Sequence, residues 1–293
     1  MSSETIIGRR NAVSDVAGRG AKAAVLIIAC GLVIVPFLGI VSTSLASPAE
    51  VTQAGGFVLF PTSIDFSAYR SILAGGVVTR SILISLLVTG VGTVLSITLT
   101  AMLGWALSRK GTVGNRHLLI LVLISLLFNP GLIPSYLVVQ QLGLLDTLWA
   151  LIIPTSVTAF NVVVVRAFFV SLPKEIIDSA RMDGASEWHL FRHMGVPLAK
   201  AALTVVGLFY GVGYWNSFFN ALLYISDSSK WPLQLVLRTY VVDNAQLGTE
   251  DALPPQTSVQ MAILVISIIP IVLVYPFLQR HFAKGVLTGA VKG

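Results

Sequence analysis

Hydrophobic residues run along this chain in long blocks, and short polar clusters separate them. A membrane crossing needs about 20 mostly apolar residues, within a range of about 17–25. Six blocks qualify: Ala23–Ala46, Ser81–Ser108, Leu118–Gln140, Thr147–Leu172, Leu198–Ile225 and Val259–Gln279. The pattern predicts an all-α membrane protein with six transmembrane helices. Pro36, Pro130, Pro134, Pro154 and Pro270 fall inside these blocks, where neighbouring helices can satisfy the freed backbone groups. The sharpest interruption is the run from Asn129 through Pro130 and Gly131 to Pro134, which predicts a kink or local unwinding of the third helix.

One polar stretch, from Leu172 to Pro197, lies between the fourth and fifth blocks and carries its own helix signals. Pro173 suits a first helical turn, Glu175 and Asp178 sit near the favourable end of the helix dipole, and Gly184 is placed to end the helix. Ser186 reads as the N-cap of a second short helix, with Glu187 in its first turn. Two short helices meeting at a glycine corner are therefore expected at a membrane surface.

Composition agrees with this picture. The chain is 55% hydrophobic and 11% charged, against about 25% charged in soluble domains, and its mean hydropathy is +0.85. A net charge of +6 does not point to nucleic acid, because the basic residues lie between apolar runs and form no single patch. They set topology instead. With a cytoplasmic N-terminus, the inner segments hold Arg9, Arg10, Arg19, Lys22, Arg109, Lys110, Arg116, Lys174, Arg181, Arg192, Lys200, Arg280, Lys284 and Lys292. The outer segments hold Arg70, Arg80, Lys230 and Arg238, while Arg166 lies near the inner end of the fourth block and can snorkel. Both termini and the polar stretch then face the cytoplasm.

The expected organisation is a cytoplasmic tail over 1–22, a first transmembrane helix over 23–46 and an outer loop over 47–80. A core follows over 81–279, with the polar loop 173–197 and an outer loop 226–258, and a cytoplasmic tail covers 280–293. Block Ala23–Ala46 is longer than the roughly 7–15 residues of a signal-peptide core, so it reads as an uncleaved helix. The second outer loop carries Asp227, Trp231, Pro232, Asp243, Glu250, Asp251, Pro254 and Pro255. Segments below about 40 residues rarely fold alone, so both outer segments read as loops that touch something. Cys30 has no partner for an internal disulfide and is expected to be a buried structural thiol.

Catalytic chemistry is not evident. The chain has no Gly-rich loop ending in Gly-Lys-Ser/Thr, so it cannot cradle ATP phosphates in the usual way. His117, His189, His193 and His281 sit at expected cytoplasmic edges without metal-ligand spacing. No acidic side chain lies in any of the six blocks, which argues against an ion-coupled secondary transporter. An importer of some other solute and a membrane scaffold remain open on these grounds.

Polar groups inside a membrane line cavities or bond between helices. Asn129, Asn161, Tyr214, Asn216 and Asn220 are the candidate substrate-path residues. Tyr210, Tyr214, Trp215, Phe218, Phe219 and Tyr224 add an aromatic cluster. Rings and amides suit a sugar, and the same rings also suit an interfacial belt.

Within the polar stretch, Asp178-Ser179-Ala180, Gly184 and Met194-Gly195-Val196-Pro197 resemble the signature of binding-protein-dependent ABC importer permeases. That signature runs Glu-Ala-Ala, then glycine, then Ile-x-Leu-Pro, and the departures here keep charge, small size or apolar character. Arg181 to Ala185, Phe191-Arg192, Leu198, Trp215 to Phe219 and Gly289 resemble the carbohydrate-uptake branch, typified by maltose permeases. The resemblance implies a cytoplasmic coupling helix between spans four and five that docks on an ATPase. Its coupling residues would be Glu175, Asp178, Ser179, Ala180, Asp183, Gly184, Ala185, Phe191 and Pro197.

Ile176 with Ala180, Leu190 with Met194, and Trp188 with Phe191 stand at helical spacing and would supply the apolar face. Asp178 would either pair with Arg181 or meet a basic group on the partner. The resemblance further implies a non-catalytic subunit of an oligosaccharide importer in the bacterial inner membrane. Such a chain binds no cofactor, while ATP and Mg sit on two partner ATPase subunits. Its other partners would be a second homologous permease, an extracytoplasmic solute-binding protein reached by loop 226–258, and the lipid membrane.

Overall fold

The computed structural model describes residues 4–109, 111, 113–241 and 257–290, and every regular element among them is helical. Lys110, Asp243, Glu250, Asp251, Pro254, Pro255 and Lys292 lie outside the described residues. The chain divides into two compact units, Met1–Ile72 with Leu253–Val265, and Leu73–Ala252 with Ile266–Gly293.

In the first unit, α1 (Glu4–Ser44) contains a 23-residue apolar stretch, Lys22–Ser44, long enough to cross a membrane. Most of that stretch is exposed, including Cys30, so the expected burial of this thiol is not found. The helix has few neighbours to cover it. Its far end is tied down by hydroxyls. Thr43 Oγ1 donates to the Val58 carbonyl at 3.2 Å and accepts from the Val58 N–H at 2.9 Å, and Ser44 Oγ lies 2.7 Å from the Tyr69 hydroxyl.

The segment after α1 forms two short helices, α2 (Pro48–Gln53) and α3 (Ser67–Leu73). Ser47 caps α2 by accepting from the Glu50 N–H. The Glu50 carboxylate in turn accepts from the backbone and hydroxyl of Thr62, both at 2.8 Å. Ala46, Val51 and Val58 form a small buried cluster beneath. The first outer segment is thus a folded cap held by local polar bonds.

The second unit is built on α4 (Val77–Ser108), an unbroken helix of 32 residues. The elements that follow are α5 (Asn115–Leu127), α6 (Leu132–Gln141), α7 (Trp149–Ile152) and α8 (Ala159–Val170). After them come α9 (Lys174–Met182), α10 (Glu187–Leu190), α11 (Val196–Leu198), α12 (Lys200–Trp215), α13 (Phe218–Tyr224) and α14 (Leu233–Val241). The last helix, α15 (Thr257–Ala290), runs on through Pro270 and Pro276. Helices α8 and α12 pack along α4.

Among the described residues, three helical stretches are long and apolar enough to cross a membrane unbroken: Lys22–Ser44, Val77–Ser108 and Thr257–Pro276. The expected fourth span is a bent pair, and the expected fifth starts at a bend. Trp149–Thr155 meets Ala159–Val170 at 51°, and Glu187–Leu198 meets Lys200–Trp215 at 80°. The expected third span is two pieces, because α5 has 13 residues and ends before Pro130. At about 1.5 Å per residue it reaches roughly 20 Å, short of a hydrocarbon core about 30 Å thick. Pro130 has no N–H to continue the ladder, and Asn129 Oδ1 accepts from the Gly131 N–H at 3.0 Å to close the turn.

Two boundaries move as well. The fifth helix begins at Lys200, after the bend, and stops at Asn216. The outer loop expected from Ser226 begins as a folded element, because α14 buries Leu233, Leu235, Val236 and Tyr240. It returns to α4, where the Leu233 N–H donates to Ser85 Oγ at 2.8 Å.

Candidate coupling segment and transport path

The polar stretch folds through local signals. Pro173 occupies the cap of α9 with Glu175 in the first turn, and the helix stops at Asp183. Gly184 then takes φ +84°, where a residue with a side chain would be strained. The Gly184 N–H donates to the Arg181 carbonyl at 2.9 Å and the Ala185 N–H to the Ala180 carbonyl at 3.0 Å. These two bonds are a Schellman cap, which satisfies carbonyls that the helix end would otherwise orphan.

Ser186 Oγ accepts from the His189 N–H at 3.3 Å and starts α10. The second helix is longer than expected. It continues through a π-turn over Phe191–Gly195 into α11, and the 80° bend at Ala199 leads into α12. Arg181 pairs with Glu187 across the glycine corner and not with Asp178 within α9. The corner folds α10 back so that Glu187 comes within reach of Arg181.

Burial divides the expected coupling residues. Glu175, Asp178, Ser179, Asp183, Gly184 and Pro197 are exposed, and Ala185 is half-buried. Ala180 and Phe191 are buried, so they do not offer an outer surface for a partner. With Ile177 and Leu190 they face a core that includes Trp105 of α4 and Phe169 of α8. The Trp105 ring lies 5.2 Å from Phe169, edge-on, and 5.8 Å from Phe191. Gly195 fits because it lacks a side chain: a Cβ there would lie 2.5 Å from the Trp105 ring.

The outward apolar face is instead Ile176, Met182 and Trp188, with Met182 88% and Trp188 57% exposed. Helical spacing pairs Ile176 with Ala180 on one side of α9, yet only Ala180 is buried. Burying a side chain the size of Ile177 contributes roughly 1.5–3 kcal/mol, so α9 is anchored to the C-terminal ends of α4 and α8.

The five path candidates do not form one site. Asn161, Tyr214 and Asn220 line a cavity of about 230 Å³, together with Thr155, Phe209 and Ser217. Asn129 closes the break before α6, and Asn216 donates to the Val212 carbonyl at 2.9 Å as its helix ends. The Tyr214 hydroxyl is engaged, lying 2.7 Å from Ser96 Oγ and donating to the Ile152 carbonyl at 3.2 Å. Ser217 Oγ is buried beside the cavity with no hydrogen-bond partner among the described residues.

Sequence reasoning missed the group that holds this region together. The Tyr210 hydroxyl lies 2.7 Å from Thr100 Oγ1 and accepts from the Thr158 N–H at 3.0 Å, which caps the start of α8. Ser96 and Thr100 stand four apart on α4, as Tyr210 and Tyr214 do on α12, and that matched spacing was the available signal. Arg166 reaches the C-terminal end of α4, where its Nε donates to the Leu107 carbonyl at 3.0 Å.

A second missed group ties the segment before α7 to the turn after α13. Asp146 adopts φ 58°, a left-handed conformation that Asp tolerates better than most residues. Its Oδ1 accepts from the Ser226 and Asp227 N–H groups at 3.1 and 2.9 Å, and its own N–H donates to the Tyr224 carbonyl at 2.8 Å. Lys230 Nζ sits 3.5 Å from Asp146 and 3.2 Å from Asp227. Hydrogen bonds from Ser229, and then Lys230, hold the Asp227 carboxyl below its ordinary value. Asp227 raises the Lys230 ammonium in return. Among the described residues, no three His, Cys, Asp or Glu side chains gather in a way that could hold a metal ion.

Comparison with known proteins covers nearly the whole chain. It is 40% identical over 267 residues to the polygalacturonan/rhamnogalacturonan transport system permease protein YtcP of Bacillus subtilis (strain 168), spanning 89% of this chain and 93% of that one. Protein LplC of the same organism is 43% identical over 89% of this chain and 90% of its own length. Among solved structures, a chain of a bacterial ABC transporter involved in the import of the acidic polysaccharide alginate superposes with a TM-score of 0.84. It is 32% identical, over 92% of this chain and 98% of that one. Residues 36–288 match a family described as binding-protein-dependent transport system inner membrane component, and the chain belongs to that family.

Proposed function

We propose that this chain is one permease subunit of an ATP-driven importer carrying an oligosaccharide across the bacterial inner membrane. The observation that carries the reading is the near full-length likeness to the alginate importer chain, at a TM-score of 0.84. The 40% identical relative named for polygalacturonan and rhamnogalacturonan transport supports a saccharide cargo. On this reading the chain crosses six times, counting α5 with α6, the pair bent at 51°, and α12 with α13 as one span each, over a core of 81–279. Both termini and the loop 173–197 face the cytoplasm.

ATP and Mg are held by two separate ATPase subunits, and a second homologous permease completes the pathway. The ATPase docks on Glu175, Asp178, Ser179, Asp183 and Gly184, with Met182 and Trp188 as apolar contacts and Ala185 and Pro197 at the rim. Ala180 and Phe191 act from beneath, as positioning residues. They pass the movement of the docking face to Trp105 and Phe169, and so to α4 and α8. In the pathway, Asn161, Ser217 and Asn220 offer amides and a hydroxyl to sugar hydroxyls, and Tyr214 offers its ring. Loop 226–258 meets an extracytoplasmic solute-binding protein.

The test is recovery from native membranes in mild detergent through a tag on this chain. Co-recovery of an ATPase and a second permease is expected, with ATP hydrolysis stimulated by a saccharide-loaded binding protein. Recovery of the chain with no ATPase overturns the importer reading. Stimulation by non-saccharide cargo alone overturns the choice of substrate.

A further inference from the structure

A cavity of about 720 Å³ opens where the end of α4, the end of α8 and the α9–α10 corner meet. Its polar wall is Arg109, Arg181, Asp178 and Glu187, and its apolar wall includes Trp105, Val170 and Leu172. The charges are unevenly satisfied. Glu187 is taken by Arg181, with Arg109 Nε 4.0 Å away, which is too long for a hydrogen bond. Arg109 Nε, Arg109 Nη2 and Trp105 Nε1 are all buried, and none has an acceptor among the described residues.

Three N–H donors on two residues that line one cavity lack one kind of group, an acceptor. The guanidinium is held in place, stacked 3.5 Å over the Trp105 ring with its side chain only 16% exposed. Burial pushes Arg109 below its ordinary value, and Glu187 acts the other way. An anionic ligand would relieve that desolvation. A planar guanidinium fork with a nearby indole N–H matches the tetrahedral oxygens of a phosphate.

We propose that this cavity binds a phospholipid of the inner leaflet, with the headgroup phosphate on Arg109 and Trp105 Nε1. The acyl chains would leave along the apolar wall at Val170 and Leu172. The inference rests on the reading that this edge lies at the cytoplasmic membrane surface. It adds a lipid contact directly behind the docking face, through the Arg181–Glu187 pair that closes the glycine corner.

The test is binding to the delipidated full-length chain in detergent, read by titration with dioctanoyl-phosphatidylglycerol, dioctanoylglycerol or inorganic phosphate. Transport plays no part in this readout, so its outcome is separate from that of the importer reading. Saturable binding of the phosphatidylglycerol is expected, with at least tenfold weaker binding of the other two. Arg109→Gln should weaken the phospholipid at least tenfold. Trp105→Phe, which keeps a ring but removes the N–H, should weaken it severalfold. Equal binding of dioctanoylglycerol, or no change in both variants, overturns the phosphate site. Inorganic phosphate binding as tightly as the lipid overturns the lipid source.

Discussion

Two bends shape the second unit, and they are held by opposite means. The 51° bend between Thr155 and Ala159 is latched by hydroxyls. Tyr210 takes the Thr158 N–H, and Tyr214 donates to the Ile152 carbonyl. The 80° bend at Ala199 is held by fit, with Leu190 and Ala199 buried and Gly195 pressed to the Trp105 ring. On the proposed topology the difference follows from the solvent. Inside a bilayer a freed backbone group has no water, so a bend there needs polar partners. At a wet surface water can serve the backbone, and shape alone can fix the angle.

The largest expected break is in the packed bend. Gly195→Leu drives a side chain into Trp105 and should cost roughly 3 kcal/mol, seen as a lower Tm in detergent. Trp105→Ala in the same chain should return part of the loss, while an unshifted Tm in Gly195→Leu would mean that fit does not set this bend. Next comes the latched bend. Tyr210→Phe orphans the Thr158 N–H and should cost about 1–2 kcal/mol, with faster hydrogen exchange at that amide. Protection of Thr158 that survives the change would remove the latch from the account.

A smaller change sharpens the surface side. Gly184→Ala places a side chain at φ +84° in open space, so strain alone should fray the end of α9 by roughly 1 kcal/mol. Gly184→Trp adds bulk on the proposed docking face and should uncouple ATP hydrolysis from uptake while membrane insertion is kept. Normal uptake in Gly184→Trp would count against docking there.

The smallest effect is expected at the Asp146–Asp227–Lys230 tie, whose side chains are half-buried and still reached by solvent. Asp227 is depressed in the folded chain, so its stabilisation is present above the ordinary value of 3.8 and fades as pH falls through the lower folded value. Lys230 is raised, so its part is present below 10.5 and fades as pH rises through the higher folded value. Asp227→Asn should flatten the acid limb of stability against pH, and an unchanged limb would show the tie to be inert.

The readable parts of the chain were those with strong local chemistry. Gly184 and Ser186 announced a corner and a cap because only a few residue types suit those backbone positions, and Pro130 announced a break for the same reason. Facing was harder. Within α9 and α10 the apolar residues stand close together on the helix surface, so spacing alone did not tell Ala180 from Ile176, or Phe191 from Trp188. Long-range ties were hidden as well. Asp146 reads as an ordinary loop acid until the chain brings Ser226 and Lys230 beside it. Tyr210 reads as one more belt aromatic until α4 supplies Thr100.

The Tyr210 latch also bears on how the chain is made. Thr100, Thr158 and Tyr210 leave the ribosome in that order, 110 residues separating the first from the last. While the fourth span enters the bilayer, the partner for its exposed amide has not been synthesised. That amide must stay near water or the insertion machinery until α12 arrives, so the fourth and fifth spans should mature as a pair. A ribosome stalled before Tyr210 should leave the fourth span open to aqueous labelling, and one stalled after α12 should close it.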